Sequence, residues 1–279
     1  MNWQQQGKCI LQRRQPFITD SYYRHLAAFH DSIKARLAEQ PLPGETAAQS
    51  ASLTAARIKM SAFKNLMLRY TAGEDISVLG GYLQALVEAY EAYQCALAEY
   101  HGELDISPLN IRDALYEYQE FVQVVSFCVL LHRDDLLTRF VRLTDRAGFY
   151  CQDVLYEDLL KKRLPGRYEV DEFYHAAYRS LIEAVYAETA DCAAERLSAY
   201  CRGWYSGFAD VANYWHDSHL TMTETDGAYF GYWALEAAAI AYLYDIDDSA
   251  VDHMVYPRDL IEYARAFDIS QASAAGEVN

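Results

Sequence analysis

Proline is scarce in this chain, six residues in 279, and none falls between Pro43 and Pro108 or between Pro165 and Pro257. Proline removes a backbone donor and clashes with the preceding turn, so its absence leaves long stretches free to be helical. Cysteine is equally thin: Cys9, Cys95, Cys128, Cys151, Cys192 and Cys201 are scattered, with no C-x-x-C pair. That spacing excludes a disulfide framework and a zinc ribbon, and it reads as buried, reduced thiols in a reducing compartment. No apolar run is long enough to span a bilayer, and Met1 to Gln15 lacks the apolar stretch of a secretory signal. The expected location is the cytoplasm. Strand-like alternation is missing, as are an internal repeat, a phosphate-binding glycine loop and a nucleophile elbow. Gly80-Gly81 lies inside a helical pattern, and Gly203 and Gly207 stand alone.

Positive charge is missing from one end. The formal net charge is −16, yet residues 1–70 hold ten Lys/Arg against four Asp/Glu. Residues 203–279 hold only Arg258 and Arg265 against thirteen acids. Such a field repels nucleic acid and anionic membranes and attracts a basic partner. With 52% apolar residues the chain has ample core for a globular protein.

What is present is helical. Thr19 or Asp20 caps a helix with Tyr22, Leu26, Phe29, Ile33 and Leu37 inward. After Pro41-Leu42-Pro43-Gly44 a mobile loop is expected up to Ser52. A helix over 53–70 then places Leu53, Ala56, Met60, Phe63, Met67 and Tyr70 inward and stops at Gly73. Further helices are expected over 77–100, 110–131, from Asp134 to a break at Gly148, and over 154–160. Asp171 is expected to cap another, with Phe173, Ala177, Leu181 and Val185 inward. Three more follow at about 190–215, 229–244 and 257–267. The helix at 229–244 is apolar on every face apart from Glu236, as a central helix would be.

Several clusters invite chemistry. Asp245, Asp247 and Asp248 crowd a helix C-terminus, where negative charge opposes the macrodipole. Grouped carboxylates hold a proton or a hard cation, but this cluster follows a helix and no second diphosphate-binding motif accompanies it. A helix cap or an acidic interface is the better reading. Asp134-Asp135 fits a helix start. His216 and His219, three residues apart, could share a metal with Glu224 or Asp226, but zinc takes three or four firm ligands and no cysteine or third histidine is near. Glu236 needs a partner in its apolar helix, and Arg202, His219 or a tyrosine hydroxyl could provide it. Among 24 tyrosines and four tryptophans, Tyr214, Tyr229 and Tyr232 flank acidic residues and are the better interface candidates. No cofactor, metal or catalytic residue is expected.

The stretch GYWALEAAAIAYLYDIDDS, followed by Tyr256-Pro257-Arg258-Asp259-Leu260, resembles the C-terminal signature of the PoNi family. Cys201-Arg202-Gly203-Trp204-Tyr205 and Trp215-His216-Asp217-Ser218-His219 fit that signature in order and spacing. Leu68-Arg69-Tyr70-Thr71-Ala72-Gly73-Glu74-Asp75 is similar to the N-terminal PoNi module. The resemblance implies an immunity protein that neutralises a PoNe-type DNase toxin, of a kind often delivered by type VI secretion, and a PD-(D/E)xK-like nuclease as partner. It implies an all-α fold of two packed helical modules, 8–132 and 133–268, with an unstructured tail at 269–279. Trp204, Trp215, His219, Trp233 and Glu236 would be its structural signature. Local charge density and aromatic content put the toxin-binding residues at Asp217, Glu224, Asp226, Tyr229, Tyr232, Asp245, Asp247, Asp248 and Asp252. Two rival readings stay open: a metal- or diphosphate-dependent helical enzyme, and a helical scaffold for an unrelated basic partner. A homodimer is also left open.

Overall fold

The computed structural model describes residues 12–209 and 215–276, with the side chains of 269 and 271–276 left aside. Trp3, Cys9 and Tyr214 lie outside the described residues. Ten α-helices and no strand occur among those described: α1 Asp20–Glu39, α2 Ala47–Ala72, α3 Ile76–His101, α4 Leu115–Leu130, α5 Asp134–Thr144, α6 Val154–Leu160, α7 Arg179–Val185, α8 Ala190–Gly207, α9 Leu235–Leu243 and α10 Arg258–Gly276. The all-α expectation holds.

Local chemistry sets many of these boundaries. The side chains of Thr19, Thr46, Asp75, Asp153 and Thr189 accept hydrogen bonds from backbone amides of the first turns of α1, α2, α3, α6 and α8. Gly73 closes α2 in the left-handed region at φ 90°, and a Cβ there would lie 2.0 Å from the Gln12 carbonyl oxygen. α1 packs on α2, and α2 folds back along α3. α4, buried at every position from Tyr118 to Leu130, is the central helix together with α9, buried from Leu235 to Ala241. The two pack on each other, with α5, α6, α8 and α10 around them. The buried apolar side chains form one cluster running from Ile18 to Ala264.

Several boundaries differ from those read in the sequence. α2 begins at Ala47, inside the stretch expected to be a loop, because Thr46 caps it and the Leu42 amide is tied to Thr54 Oγ1 at 2.9 Å. Its inward face is Lys59, Phe63, Leu66 and Tyr70, which turns Leu53 outward, and Ala56 and Met60 are only partly covered. Leu26 and Phe29 of α1 are likewise partly covered. α4 starts at Leu115 rather than Asn110, α8 ends at Gly207, and Asp171 caps no helix, since α7 starts at Arg179 after a short 3-10 turn over 176–178. α10 runs to Gly276, past residue 269 where an unstructured tail is expected; its last turns contain Ala272, Ala274 and Ala275, the strongest helix formers. Of the five described cysteines only Cys128 and Cys201 are buried, and Cys95 is exposed. No described helix is long and apolar enough to cross a membrane.

Candidate functional site

The segment 229–234 is not helical, and this is the main departure from the expected central helix. It is a buried, irregular strap leading into α9, with Gly231 at φ 122°. A Cβ at Gly231 would lie 2.1 Å from Thr71 Oγ1, so only glycine lets the strap approach α2 this closely. A buried backbone outside helix and sheet must find its hydrogen bonds elsewhere; here the Ala234 amide donates to the Val255 carbonyl at 2.8 Å and side chains from other parts of the chain supply the rest. Gln15 Nε2 donates to the Tyr232 carbonyl at 2.6 Å, and Gln15 Oε1 accepts from the Tyr232 amide at 2.9 Å. Tyr22 donates to the Tyr229 carbonyl at 2.7 Å, Thr71 to that of Phe230 at 2.7 Å, and Gln123 to that of Trp233 at 3.0 Å. The Trp233 indole in turn donates to Thr71 Oγ1 at 2.8 Å.

The segment Leu68–Asp75 proves to be a junction. Arg69 pairs with Asp31 and Glu74, the Tyr70 hydroxyl donates to Asp259 at 2.8 Å, Thr71 holds the strap, Gly73 ends α2 and Asp75 starts α3. Arg14 completes it with a hydrogen bond to the Tyr70 carbonyl and an ion pair to Asp259.

Just after the strap, Glu236 is fully buried. Its Oε1 accepts from Tyr200 at 2.6 Å and from the Trp204 indole at 2.8 Å, while Oε2 has no hydrogen-bond partner among the described residues. A tyrosine hydroxyl is therefore the partner, and neither Arg202 nor His219 is. Burial pushes this carboxyl up to about 7, against the pull of Tyr200, its own backbone amide and Trp204. Trp204 stacks on Trp215 at 5.2 Å, and Trp215 donates to Gln119 Oε1 at 2.8 Å. His216 stacks on Tyr205 at 4.1 Å, whereas His219 Nδ1 lies 2.7 Å from the Tyr232 hydroxyl. The two imidazoles are thus engaged separately. Among the described residues no three His, Cys, Asp or Glu side chains gather as a metal site would require.

The aspartates after α9 divide into separate structural tasks. Asp245, at φ 53°, ends α9 in the left-handed region, and the Ile246 amide donates back to the Ala241 carbonyl at 3.0 Å. Aspartate tolerates that conformation better than most residues. Asp247 accepts from the Ser249 amide at 2.9 Å, which holds its carboxyl below the usual range. Asp248 is buried and binds the Tyr256 hydroxyl at 2.7 Å, Arg258 at 3.0 Å and Arg265 at 2.9 Å. Both basic residues of 203–279 are engaged on this one carboxylate.

Of the nine residues expected to touch a partner, three are corrected. Tyr229, Tyr232 and Asp248 are buried, the first two by the strap's packing and the third by its arginines. The other six, Asp217, Glu224, Asp226, Asp245, Asp247 and Asp252, are exposed. None of the six has a Lys or Arg ion-pair partner among the described residues; Asp217 accepts from Tyr205 at 2.6 Å and lies near His216. Leu220, 70% exposed and between Asp217 and Glu224 in sequence, is an apolar surface residue that sequence patterning did not single out. The basic turn 161–167 is also engaged: Lys161 pairs with buried Asp158 and Arg167 with buried Glu157 and with Asp145.

Residues 151–260 match the family described as PoNe immunity proteins (PoNi), C-terminal. That span contains the tryptophan pair, the strap, α9 and the aspartates, and begins after Leu68–Asp75. No curated protein matches the chain. Among solved structures, Protein PA2201 from Pseudomonas aeruginosa superposes with a TM-score of 0.70 at 20% identity, covering 92% of each chain. At that identity the likeness is one of fold. The tethered strap, buried Glu236 and the Asp248 hub all lie inside residues 151–260, the part of the chain that is similar to the PoNe immunity proteins (PoNi), C-terminal.

Proposed function

We infer that this protein is an immunity protein that binds a co-produced DNase toxin in the cytoplasm and neutralises it as a stoichiometric partner, without catalysis of its own. A toxin of the type VI secretion class fits the family. The observation that carries the mechanism is the one-sided charge of the C-terminal region. Its two arginines are both held by buried Asp248, while Asp217, Glu224, Asp226, Asp245, Asp247 and Asp252 are exposed and have no Lys or Arg partner among the described residues. A DNA-cleaving enzyme presents a basic groove, and an acidic surface competes there with phosphates. Leu220 adds an apolar contact within an acidic stretch, the composition of an interface anchor with a polar rim. The signature tryptophans, being buried, act by holding this surface in shape.

The test is toxin binding across a salt series by stopped flow, with protection of bacteria as the second readout. Screening shortens the reach of the field from about 30 Å at 0.01 M salt to about 3 Å at 1 M, so the on-rate should fall about tenfold or more. Reversing Asp217, Glu224 and Asp226 together to lysine should slow association and weaken protection with the helical spectrum unchanged. A salt-insensitive on-rate with full protection by the triple variant would mean the toxin is gripped elsewhere.

A further inference from the structure

At the opposite charge extreme, an open cleft of about 830 Å³ lies between α1 and α2, with the 225–227 turn at its edge. Arg57, Ser61 and Lys64 follow one another on α2 at steps of four and three, which places them on one helix face. Arg24 and His25 line the cleft from α1, together with the apolar side chains of Leu26, Phe29 and Met60. Asp226 is the one carboxylate among the lining residues. Arg24 and Arg57 have no ion-pair or hydrogen-bond partner among the described residues. The local field is positive enough to register on a neighbour. His30, bonded to Ser61 Oγ at 2.7 Å, is pushed down to about 4, first by burial and then by the charges of Lys64 and Arg57. Lys64 is lowered by burial and by Arg57.

Arg24 and Arg57, without partners among the described residues, and Lys64 beside them outnumber the one carboxylate among the lining residues, so the complementary ligand is an anion. The volume is that of a small-molecule site, and the apolar side chains suit a flat organic body. We propose that the cleft between α1 and α2 binds a nucleoside di- or triphosphate, with Arg24, Arg57 and Lys64 on the phosphates. Arginine favours phosphate through paired donors, Leu26, Phe29 and Met60 offer contact to the base, and Asp226 is an acceptor suited to ribose hydroxyls. This site is separate from the proposed toxin-binding surface except at Asp226, and its test needs no toxin.

The experiment is calorimetric titration of the full-length protein with ADP, ATP, pyrophosphate and adenosine. ADP or ATP should saturate at one per chain, with adenosine far weaker. Arg24→Gln and Arg57→Gln should each weaken binding about tenfold, the loss of one charged hydrogen bond, while Arg196→Gln, away from the cleft, leaves it unchanged. Arg24 is exposed and Arg57 half-buried, and a circular dichroism spectrum verifies that both variants fold. Absence of saturable binding at millimolar ADP and ATP, or equal binding by the double Arg24→Gln/Arg57→Gln variant, would overturn the proposal. Pyrophosphate bound as tightly as ADP would overturn the nucleoside assignment.

Discussion

Glu236→Gln isolates a buried charge whose energetics can be worked through. The carboxyl sits fully buried with Tyr200 and Trp204 donating to one oxygen and no partner on the other among the described residues, and its pKa is raised from an ordinary 4.5 to about 7. The folded protein therefore binds a proton more tightly than the unfolded chain does. The associated stability is complete below pH 4.5 and is lost as pH rises through 7. Each tenfold gain in proton affinity on folding corresponds to about 1.4 kcal/mol, and between pH 5 and pH 8 the loss is about 2–3 kcal/mol. Glutamine keeps the acceptor for Tyr200 and Trp204 and places a neutral group where Oε2 stood, so it mimics the protonated acid at every pH. Asp153 and Glu157 are also raised by burial, which makes wild-type stability alone ambiguous. The difference between variant and wild type removes their contribution. Urea unfolding at pH 5, 6, 7 and 8 should show the variant gaining about 2–3 kcal/mol relative to wild type across the series, with m unchanged. In thermal melts the relative gain is on the order of 5–10 °C. A difference that stays flat with pH would mean that Glu236 ionises normally and that its site is wetter or better bonded than the geometry indicates.

Two further outcomes follow from the same packing. Trp233→Ala removes a buried indole that contacts Tyr70 at 4.8 Å and donates to Thr71; it should cost about 3–5 kcal/mol, and a variant melting like wild type would refute the burial. Asp248→Ala strips the partner from Tyr256, Arg258 and Arg265. With both arginines more than a third exposed and partly rehydrated, the cost should be about 2–4 kcal/mol by chemical denaturation, and a change under 0.5 kcal/mol would deny the hub its role.

Helix content was legible because α1, α3 and α6 carry side-chain caps and α5 a periodic apolar face that local rules decode. The strap was not. Phe230 to Tyr244 is apolar at every helical phase, and periodicity cannot separate a buried helix from a buried extended run. Gly231 was the available sign, since glycine inside an apolar run marks a close backbone approach. The aspartates show the same limit at the site. Neither Asp247 nor Asp248 caps a helix, as one of them was expected to: Asp247 closes a local turn on Ser249, Asp248 depends on Arg265, and Tyr229 depends on Tyr22, 207 residues away. Adjacency to acidic residues suggested an exposed Tyr229 and Tyr232, and long-range packing overrode it. Exposure at Asp217, Glu224 and Asp226 was easier to anticipate, because short polar segments around them offer nothing to bury.

The strap also dictates an order of events. Every donor or acceptor that steadies it from outside the C-terminal region comes from chain made earlier: Gln15, Tyr22, Thr71 and Gln123. During vectorial synthesis those four groups emerge from the ribosome long before Tyr229 does, and they can be waiting as a template. Closing loops of 110 to 217 residues carries an entropic cost that rises only slowly with length, but such contacts delay the final step of folding. Tyr229 to Ala234 is then a keystone, set last, whose arrival locks the opening residues of the chain to its closing helices.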